Sequence, residues 1–315
     1  MTAEKIAIVG AGLSGSVLAR ILVDAGFDVT VFEKSGGTGG RLATRRTDFG
    51  AFNHGAQYLT AKSAPFRAML TGLSNAGSVH EWVPTGKDRD NIWHVGTPGM
   101  SGLVKPLLND IVITRRTRVS SIDDDGDFVA LSSEEGILGA FDRVIVTAPA
   151  PQAYELLSIY DPVFQPLASV RYGPCWTLMA VFEGLFEGPD IFRGDGDGAI
   201  GWMAKSFQTD GVCGYIVQAG APWSREHLEM PKEDAAALMI AKLQAVLPDA
   251  IPVNAKAHRW RYALVEKPLG TAFLGSRSAR VFCAGDGMLG ARAENAFESA
   301  RLLADHLKNL IRVPK

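Results

Sequence analysis

Cysteine is scarce in this chain. Three occur in 315 residues, Cys175, Cys213 and Cys283, and no two form a C-x-x-C pair. That distribution argues against a disulfide framework or a zinc-thiolate site, and it reads as three reduced thiols in a cytoplasmic protein. The six histidines, at 54, 80, 94, 227, 258 and 306, fall at no metal-ligand spacing. Asp195-Gly-Asp197-Gly lacks the third oxygen ligand and the terminal glutamate of a calcium loop, so it reads as a turn and no metal site is expected. There is no G-x-S-x-G elbow for a serine nucleophile, no internal repeat and no low-complexity tract. No apolar run nears the roughly 18 residues needed to cross a bilayer, which argues against a membrane partner. A formal net charge of −2 offers no basic field to attract nucleic acid. Asp123-Asp124-Asp125 reads as a solvated hairpin tip.

What the chain does have begins at its first strand. Ile6-Ala-Ile-Val runs into Gly10-Ala11-Gly12-Leu13-Ser14-Gly15, an apolar helical stretch follows from Leu13 to Ala25, and Gly26 caps it. Val29-Thr-Val-Phe-Glu33 completes the unit, eighteen positions after Gly15. This order is that of a dinucleotide-binding βαβ unit. Gly10 permits the tight turn, Gly12 lets backbone N–H groups approach a pyrophosphate, and Gly15 lets the helix press on the strand. The anion then rests on a helix N-terminus, where unpaired N–H groups and the dipole favour negative charge. Glu33 is placed to accept hydrogen bonds from both hydroxyls of an adenosine ribose and to repel a 2′-phosphate, which favours FAD or NAD over NADP. Because this apolar start carries the cofactor glycines, it belongs to the fold and is not a secretion signal.

The next segment separates the dinucleotides. Lys34-Ser-Gly36-Gly37-Thr-Gly39-Gly40-Arg41-Leu42-Ala-Thr44-Arg45-Arg46 stands where a nicotinamide dehydrogenase would go on to another helix and strand. It reads as a second phosphate-facing loop, with Arg41 supplying a bidentate contact. A solvated basic loop is the plainer alternative. At the far end, Ala279 to Ala284 reads as a buried strand, Gly285-Asp286-Gly287 as its exit turn, and Ala293 to Leu310 as a long amphipathic helix. Asp286 is then poised to accept hydrogen bonds from a ribityl chain, with the helix N-terminus facing the flavin end.

The expected fold class is α/β, a Rossmann-like FAD-binding domain interleaved with a substrate domain on a mostly antiparallel sheet. At 47% hydrophobic the chain can fill sizeable cores. The FAD-binding domain is expected at 1–50, 97–150 and 270–315, and the substrate domain at 51–96 and 151–269. In the middle piece Ile111 to Thr114, Arg118 to Ile122, Phe128 to Leu131 and Phe141 to Thr147 read as strands, an antiparallel meander returning to the parallel sheet. Substrate-domain strands are expected at Thr177 to Phe182, Ala199 to Ala204, Tyr215 to Ala219 and His258 to Ala263. One helix is expected among them, begun by Pro231-Lys-Glu-Asp234, carried by Ala235 to Val246 and ended by Pro248.

Gly10 to Gly15, Glu33, Gly39-Gly40-Arg41 and Gly285-Asp286 before a helix together resemble the signature of the flavin amine oxidase superfamily. Further segments are similar to the renalase family: Gly39 to Arg45, His54-Gly-Ala-Gln-Tyr58, Pro98-Gly-Met-Ser101, Thr147 to Gln152, Gly173-Pro-Cys-Trp176, His258 to Ala263 and Arg292 to Ser299. Two positions depart from the pattern. Asn53 stands where an acidic residue is expected, and Gly287 where Trp or another large residue is common. The resemblance implies FAD as cofactor, in a two-domain fold like that of p-hydroxybenzoate hydroxylase. It implies FAD contacts from Gly10, Ala11, Gly12, Leu13, Ser14, Gly15, Glu33, Lys34, Gly40, Arg41, Leu42, Val119, Asp286, Asn295 and Ala296.

Around the flavin ring the resemblance points to His54, Gln57, Tyr58 and Trp260, with Gly55, Ala56, Met100, Ser101 and Trp202 as substrate contacts. Tyr58 and Trp260 would be flat walls for a planar heterocycle, His54 and Gln57 donors to its polar edge. Core packing is the alternative for each aromatic, and a structural role the alternative for His54. The implied activity is oxidation of isomeric 2- and 6-dihydro forms of NAD(P) to NAD(P)⁺, a metabolite-repair reaction in which O₂ becomes hydrogen peroxide. A flavin needs only a positioned donor and a dry site, consistent with the absence of an acid–base dyad. Small molecules are the expected partners, in a monomer or weak homo-oligomer. An amine oxidase, a desaturase, an NAD(P)H-dependent hydroxylase and a non-catalytic flavoprotein scaffold remain as alternatives.

Overall fold

Short β-branched segments from three distant stretches of chain assemble the first sheet. The computed structural model describes residues 3–85, 91–183, 188–209, 211–249 and 251–312, so the outer limits of the expected FAD-binding segments, at 1–2 and 313–315, lie outside the described residues. The order across the sheet is Phe273–Gly275, Val281–Ala284, Arg143–Val146, Lys5–Val9, Asp28–Glu33, Val112–Arg115. All neighbours pair in parallel except the first two, which are antiparallel. The mixed α/β class expected from the sequence is the one observed.

Helix Leu13–Asp24 ends where Gly26 takes φ +92°. Gly26 N–H donates to Val23 O at 2.9 Å and Phe27 N–H to Leu22 O at 3.1 Å, so the last carbonyls are satisfied by a left-handed glycine turn. This helix and Ala293–Arg312 cover one face of the sheet, burying Leu18, Leu22, Ala300, Leu303 and Leu307 completely. Each such leucine contributes about 1.5–3 kcal/mol. The other face carries helix Ala150–Leu157, the 3-10 helix Pro162–Ser169 and a meander of strands Ser121–Asp124, Val129–Ser133 and Gly136–Phe141.

The meander corrects two expectations. Gly136–Phe141 is a strand of its own, with a register shift between Ile137 and Gly139, and Phe141 closes it instead of opening the next. Asp124 is no solvated tip. Tyr160 donates to its carboxylate at 2.6 Å, Arg280 at 3.1 Å and Ser278 at 3.3 Å. Burial works against the charged form, but the Tyr160 hydroxyl, the Gly126 N–H and the Arg280 charge outweigh it and hold the carboxyl below its usual range.

The second sheet is antiparallel throughout, in the order Ile191–Arg193, Trp202–Thr209, Val212–Gln218, Arg171–Glu183, Asn254–Lys267. Trp176, Leu178, Ala180 and Phe182 alternate onto one face and pack against Ala235, Met239 and Leu243 of helix Lys232–Val246. The opposite face turns Met179 and Val181 toward Phe52. The strand expected at Thr177 to Phe182 extends over Arg171–Glu183 and runs through Gly173-Pro174, because the register shifts there and the missing proline N–H leaves no ladder gap. The strand expected at Ala199 to Ala204 begins at Trp202 and continues to Thr209.

Further helices were not anticipated, among them Ala64–Asn75, capped by Ser63 accepting from Phe66 N–H. Gly285-Asp286-Gly287 is likewise more than a turn: Gly285, at φ +143°, is followed by the short helix Asp286–Leu289. The small residue at 287 has a local reason, since a Cβ there would lie 2.6 Å from the Tyr172 hydroxyl. Among the described residues no helix is long and apolar enough to cross a membrane.

Candidate functional site

The two glycine loops read separately from the sequence dock on each other. Gly39 N–H donates to Ala11 O at 2.8 Å, and Gly12 and Gly39 form a parallel bridge. Gly10 turns at φ +112°, and a Cβ on Gly15 would lie 1.9 Å from Gly10 O, so only glycine allows the helix this close to the strand. Gly12 caps helix Leu13–Asp24 without a side chain, and a Cβ built on it would meet nothing within 4 Å. Uncapped helix N–H groups facing open space suit a pyrophosphate. Glu33 is buried where the strand ends, accepting from Ala11 N–H at 2.9 Å and Ser35 N–H at 2.8 Å. A carboxylate accepts about four hydrogen bonds, so capacity for ribose hydroxyls remains. The residues present fit a flavin dinucleotide.

Around this cradle Leu13, Ser14 and Leu42 are buried, Val119 packs into the meander-side core and Ala296 into the helix-side core. The Lys34 ammonium reaches Gln152 Oε1 at 2.9 Å, and burial lowers its pKa. Arg41 meets Asp286 in a two-pronged ion pair of 2.6 and 2.7 Å and also donates to Ala263 O at 3.2 Å. Three of the five guanidinium donors are thereby engaged, and two are left for an anion. Tyr172 lies beneath, its ring centre 5.8 Å from the guanidinium and its hydroxyl accepting from Ala150 N–H. Burial, then the neighbouring Asp286 charge, raises the Tyr172 pKa.

Residues 54–58 tie this cradle to the second sheet. Ala56 N–H donates to Arg41 O at 2.9 Å, and a Cβ on Gly55 would lie 2.0 Å from the same oxygen. From the sheet side, Gln218 donates to Gly55 O at 2.9 Å and Trp260 Nε1 to His54 O at 2.8 Å. Gln57 turns its amide back onto Asn53 O at 3.0 Å. Asn53, noted as a departure, accepts from both Thr44 Oγ1 and Met100 N–H at 2.9 Å, a task an acid would also perform. Ser101 N–H donates to Thr44 Oγ1 at 3.0 Å, and Met100 and Ser101 are both buried.

His54 packs edge-to-face on His258 at 4.9 Å and against Trp260 at 5.1 Å. Burial, then the charge of Arg45, brings the His54 pKa down to about 4. His258 also falls to about 4, through burial, then the neighbouring His54, Lys232 and Arg45. Tyr58 is stacked on Trp93, with centroids 3.8 Å apart and planes within 6°, and Trp202 lies 6.0 Å away. His54 Nδ1 and Trp202 Nε1 are buried without a hydrogen-bond partner. Asn295 abuts Gly290, its Nδ2 3.1 Å from where a Cβ would project. Residues not anticipated are Gln218, the Trp93 partner of Tyr58, and Glu294, which accepts from Lys62 N–H at 3.1 Å and anchors helix Ala293–Arg312 to the start of Ala64–Asn75. Trp82 and Trp93 bracketing a hairpin were a visible signal; nothing local marks Gln218.

A family model described as flavin containing amine oxidoreductase matches residues 72–308, and one described as an NAD(P)-binding Rossmann-like domain matches 8–73. The chain belongs to the flavin-containing amine oxidoreductases. It is a flavin-dependent oxidoreductase resembling renalase: renalase of Mus musculus is 25% identical, over 98% of this chain and 100% of that protein. Cyclohexylamine oxidase from Brevibacterium oxydans shares the fold with TM-score 0.73 and 13% identity, covering 99% of this chain and 100% of that one. A putrescine oxidase structure aligns with TM-score 0.71 and 14% identity, covering 97% of this chain and 99% of its own.

Proposed function

We propose that this flavoprotein holds FAD and oxidises isomeric dihydronicotinamide dinucleotides, the 2- and 6-dihydro forms of NAD(P), to NAD(P)⁺. The observation that carries the reading is the aromatic wall of Trp260, His54 and His258 tied by backbone to the Arg41 turn, with both imidazoles held neutral. A donor that gives up a hydride requires a flat surface and exclusion of water, and no base to remove a proton first. Bound FAD would supply the hydride acceptor and, once reduced, the electrons that turn O₂ into hydrogen peroxide. Gly10 to Gly15 and Gly40 to Leu42 would hold its pyrophosphate, Glu33 and Lys34 its ribose end, and Val119 its adenine. Arg41, Asp286, Asn295 and Ala296 would hold the ribityl and pyrimidine end.

Trp260 and Tyr58 orient the donor ring, His54 and Gln57 fix the loop under it, and Trp202, Met100 and Ser101 shape the pocket. The division into an FAD-binding domain at 1–50, 97–150 and 270–315 and a substrate domain at 51–96 and 151–269 is part of the same reading. So are a cytoplasmic location and a monomeric or weakly associating chain. Anaerobic mixing tests it: isomeric NADH should bleach the flavin rapidly and ordinary NADH should not. Indifference to both, or bleaching by a simple primary amine instead, overturns the reading.

A further inference from the structure

Arg193 closes the short edge strand Ile191–Arg193, directly opposite Trp202 in the antiparallel register. Its guanidinium lies 4.9 Å from the centre of the Trp202 ring and 5.7 Å from that of Trp93. Trp93 is the ring on which Tyr58 is stacked, so Arg193 sits one aromatic layer beyond the wall of the site. The side chain is nonetheless exposed, and among the described residues its guanidinium forms no hydrogen bond or ion pair.

The carboxylates next to it in sequence are engaged elsewhere: Asp190 with Lys205 at 3.1 Å and Thr85 N–H at 3.1 Å, Asp195 with the N–H groups of Asp197 at 3.1 Å and Gly198 at 2.9 Å. Asp197 is exposed and makes no ion pair with Arg193. Two indole rings hold the guanidinium near them, while its five N–H donors stay free in a fork that matches phosphate oxygens. Holding the fork in place beforehand lowers the ordering cost of binding an anion.

The geometry points to Arg193 as the anchor for the phosphates of the electron donor, a pyrophosphate-bearing dinucleotide whose nicotinamide ring lies against Tyr58 and Trp202. This rests on the donor class proposed above. It adds the residue that distinguishes a dinucleotide from its dephosphorylated riboside, which the aromatic wall alone would hold equally well.

The test uses the flavin-loaded protein and its Arg193→Gln and Arg193→Lys variants, titrated by calorimetry with NAD⁺, nicotinamide riboside and inorganic pyrophosphate. The wild type should prefer NAD⁺ over the riboside, and Arg193→Gln should reduce that preference roughly tenfold or more. Lysine should restore only part of it, because a point charge lacks the fork. An arginine that merely covers the tryptophans would lower the melting temperature and leave the preference unchanged, and that result overturns the inference while the donor reading stands. Should no dihydronicotinamide bleach the flavin, pyrophosphate still decides: binding abolished by Arg193→Gln supports the anion site, and absent or unaltered binding overturns it.

Discussion

Arg41 and Asp286 stand 245 positions apart and share two hydrogen bonds of 2.6 and 2.7 Å. The pair joins the second glycine loop to the carboxy-terminal Gly-Asp turn. Asp286→Ala would leave the guanidinium without its counter-charge in a part-buried site. Removing one partner of a fully buried pair costs about 3–5 kcal/mol, and partial exposure of Arg41 reduces this to roughly 2 kcal/mol. Thermal melting and the flavin-to-protein absorbance ratio should both fall; an unchanged ratio would contradict the cofactor role of this pair.

Glu33→Gln retains the shape and removes the charge. Bound flavin should be held more weakly, by about 1.5–3 kcal/mol if a charge-assisted bond to ribose is lost. Equilibrium dialysis of the flavin measures it. Since Glu33 also caps the Ala11 and Ser35 N–H groups, Glu33→Ala should lower the melting temperature further than Gln does.

Gly55→Ala places a methyl 2.0 Å from Arg41 O, backbone that cannot swing aside. The 54–58 segment must then lift from the Arg41 turn. Flavin reduction by donor should slow at least tenfold with flavin still bound, as read in a stopped-flow spectrometer. Normal kinetics in this variant would show that the contact is dispensable.

The two neutral histidines make stability depend on pH in a defined direction. Each ionises near 6.5 when unfolded and at about 4 in the folded chain, where burial and the Arg45 and Lys232 charges disfavour the cation. As pH falls from 6.5 toward 4, the unfolded chain takes up protons the native chain refuses, so stability drops through that window. Above it the pair has no effect. The loss should be on the order of several kcal/mol by urea denaturation, roughly 3 for each histidine, and His54→Gln with His258→Gln should flatten it. Between pH 6 and 8 the rate of flavin reduction should show no inflection from these groups.

What could be read from sequence was whatever depends on a backbone requirement at one place. Gly10, Gly12 and Gly15 are needed for local reasons, and their spacing to Glu33 therefore carries the whole βαβ unit. The helix Ala64–Asn75 went unread although Phe66, Met69, Leu70 and Leu73 recur at helical spacing and Ser63 was a serviceable cap. The strand expected at Thr177 to Phe182 begins six residues earlier, at Arg171, because Pro174 is tolerated at a bulge that only the pairing reveals. Asp124 looked solvated because Tyr160, Ser278 and Arg280 come from elsewhere in the chain. The same distance hid the pairing of Arg41 with Asp286: each residue was marked as a cofactor contact, and neither as the other's partner.

The bonds from Ala56 N–H to Arg41 O and from Gln218 and Trp260 to Gly55 O and His54 O make residues 54–56 a rivet through two plates. Donor preference in this scaffold can therefore drift by exchange of side chains at positions such as 58 and 202, without altering the peptide path. An insertion of even one residue between Arg41 and Tyr58 would throw the plates out of alignment. Variation in length is accordingly expected to gather elsewhere along the chain, leaving this spacing constant among proteins that share the chemistry.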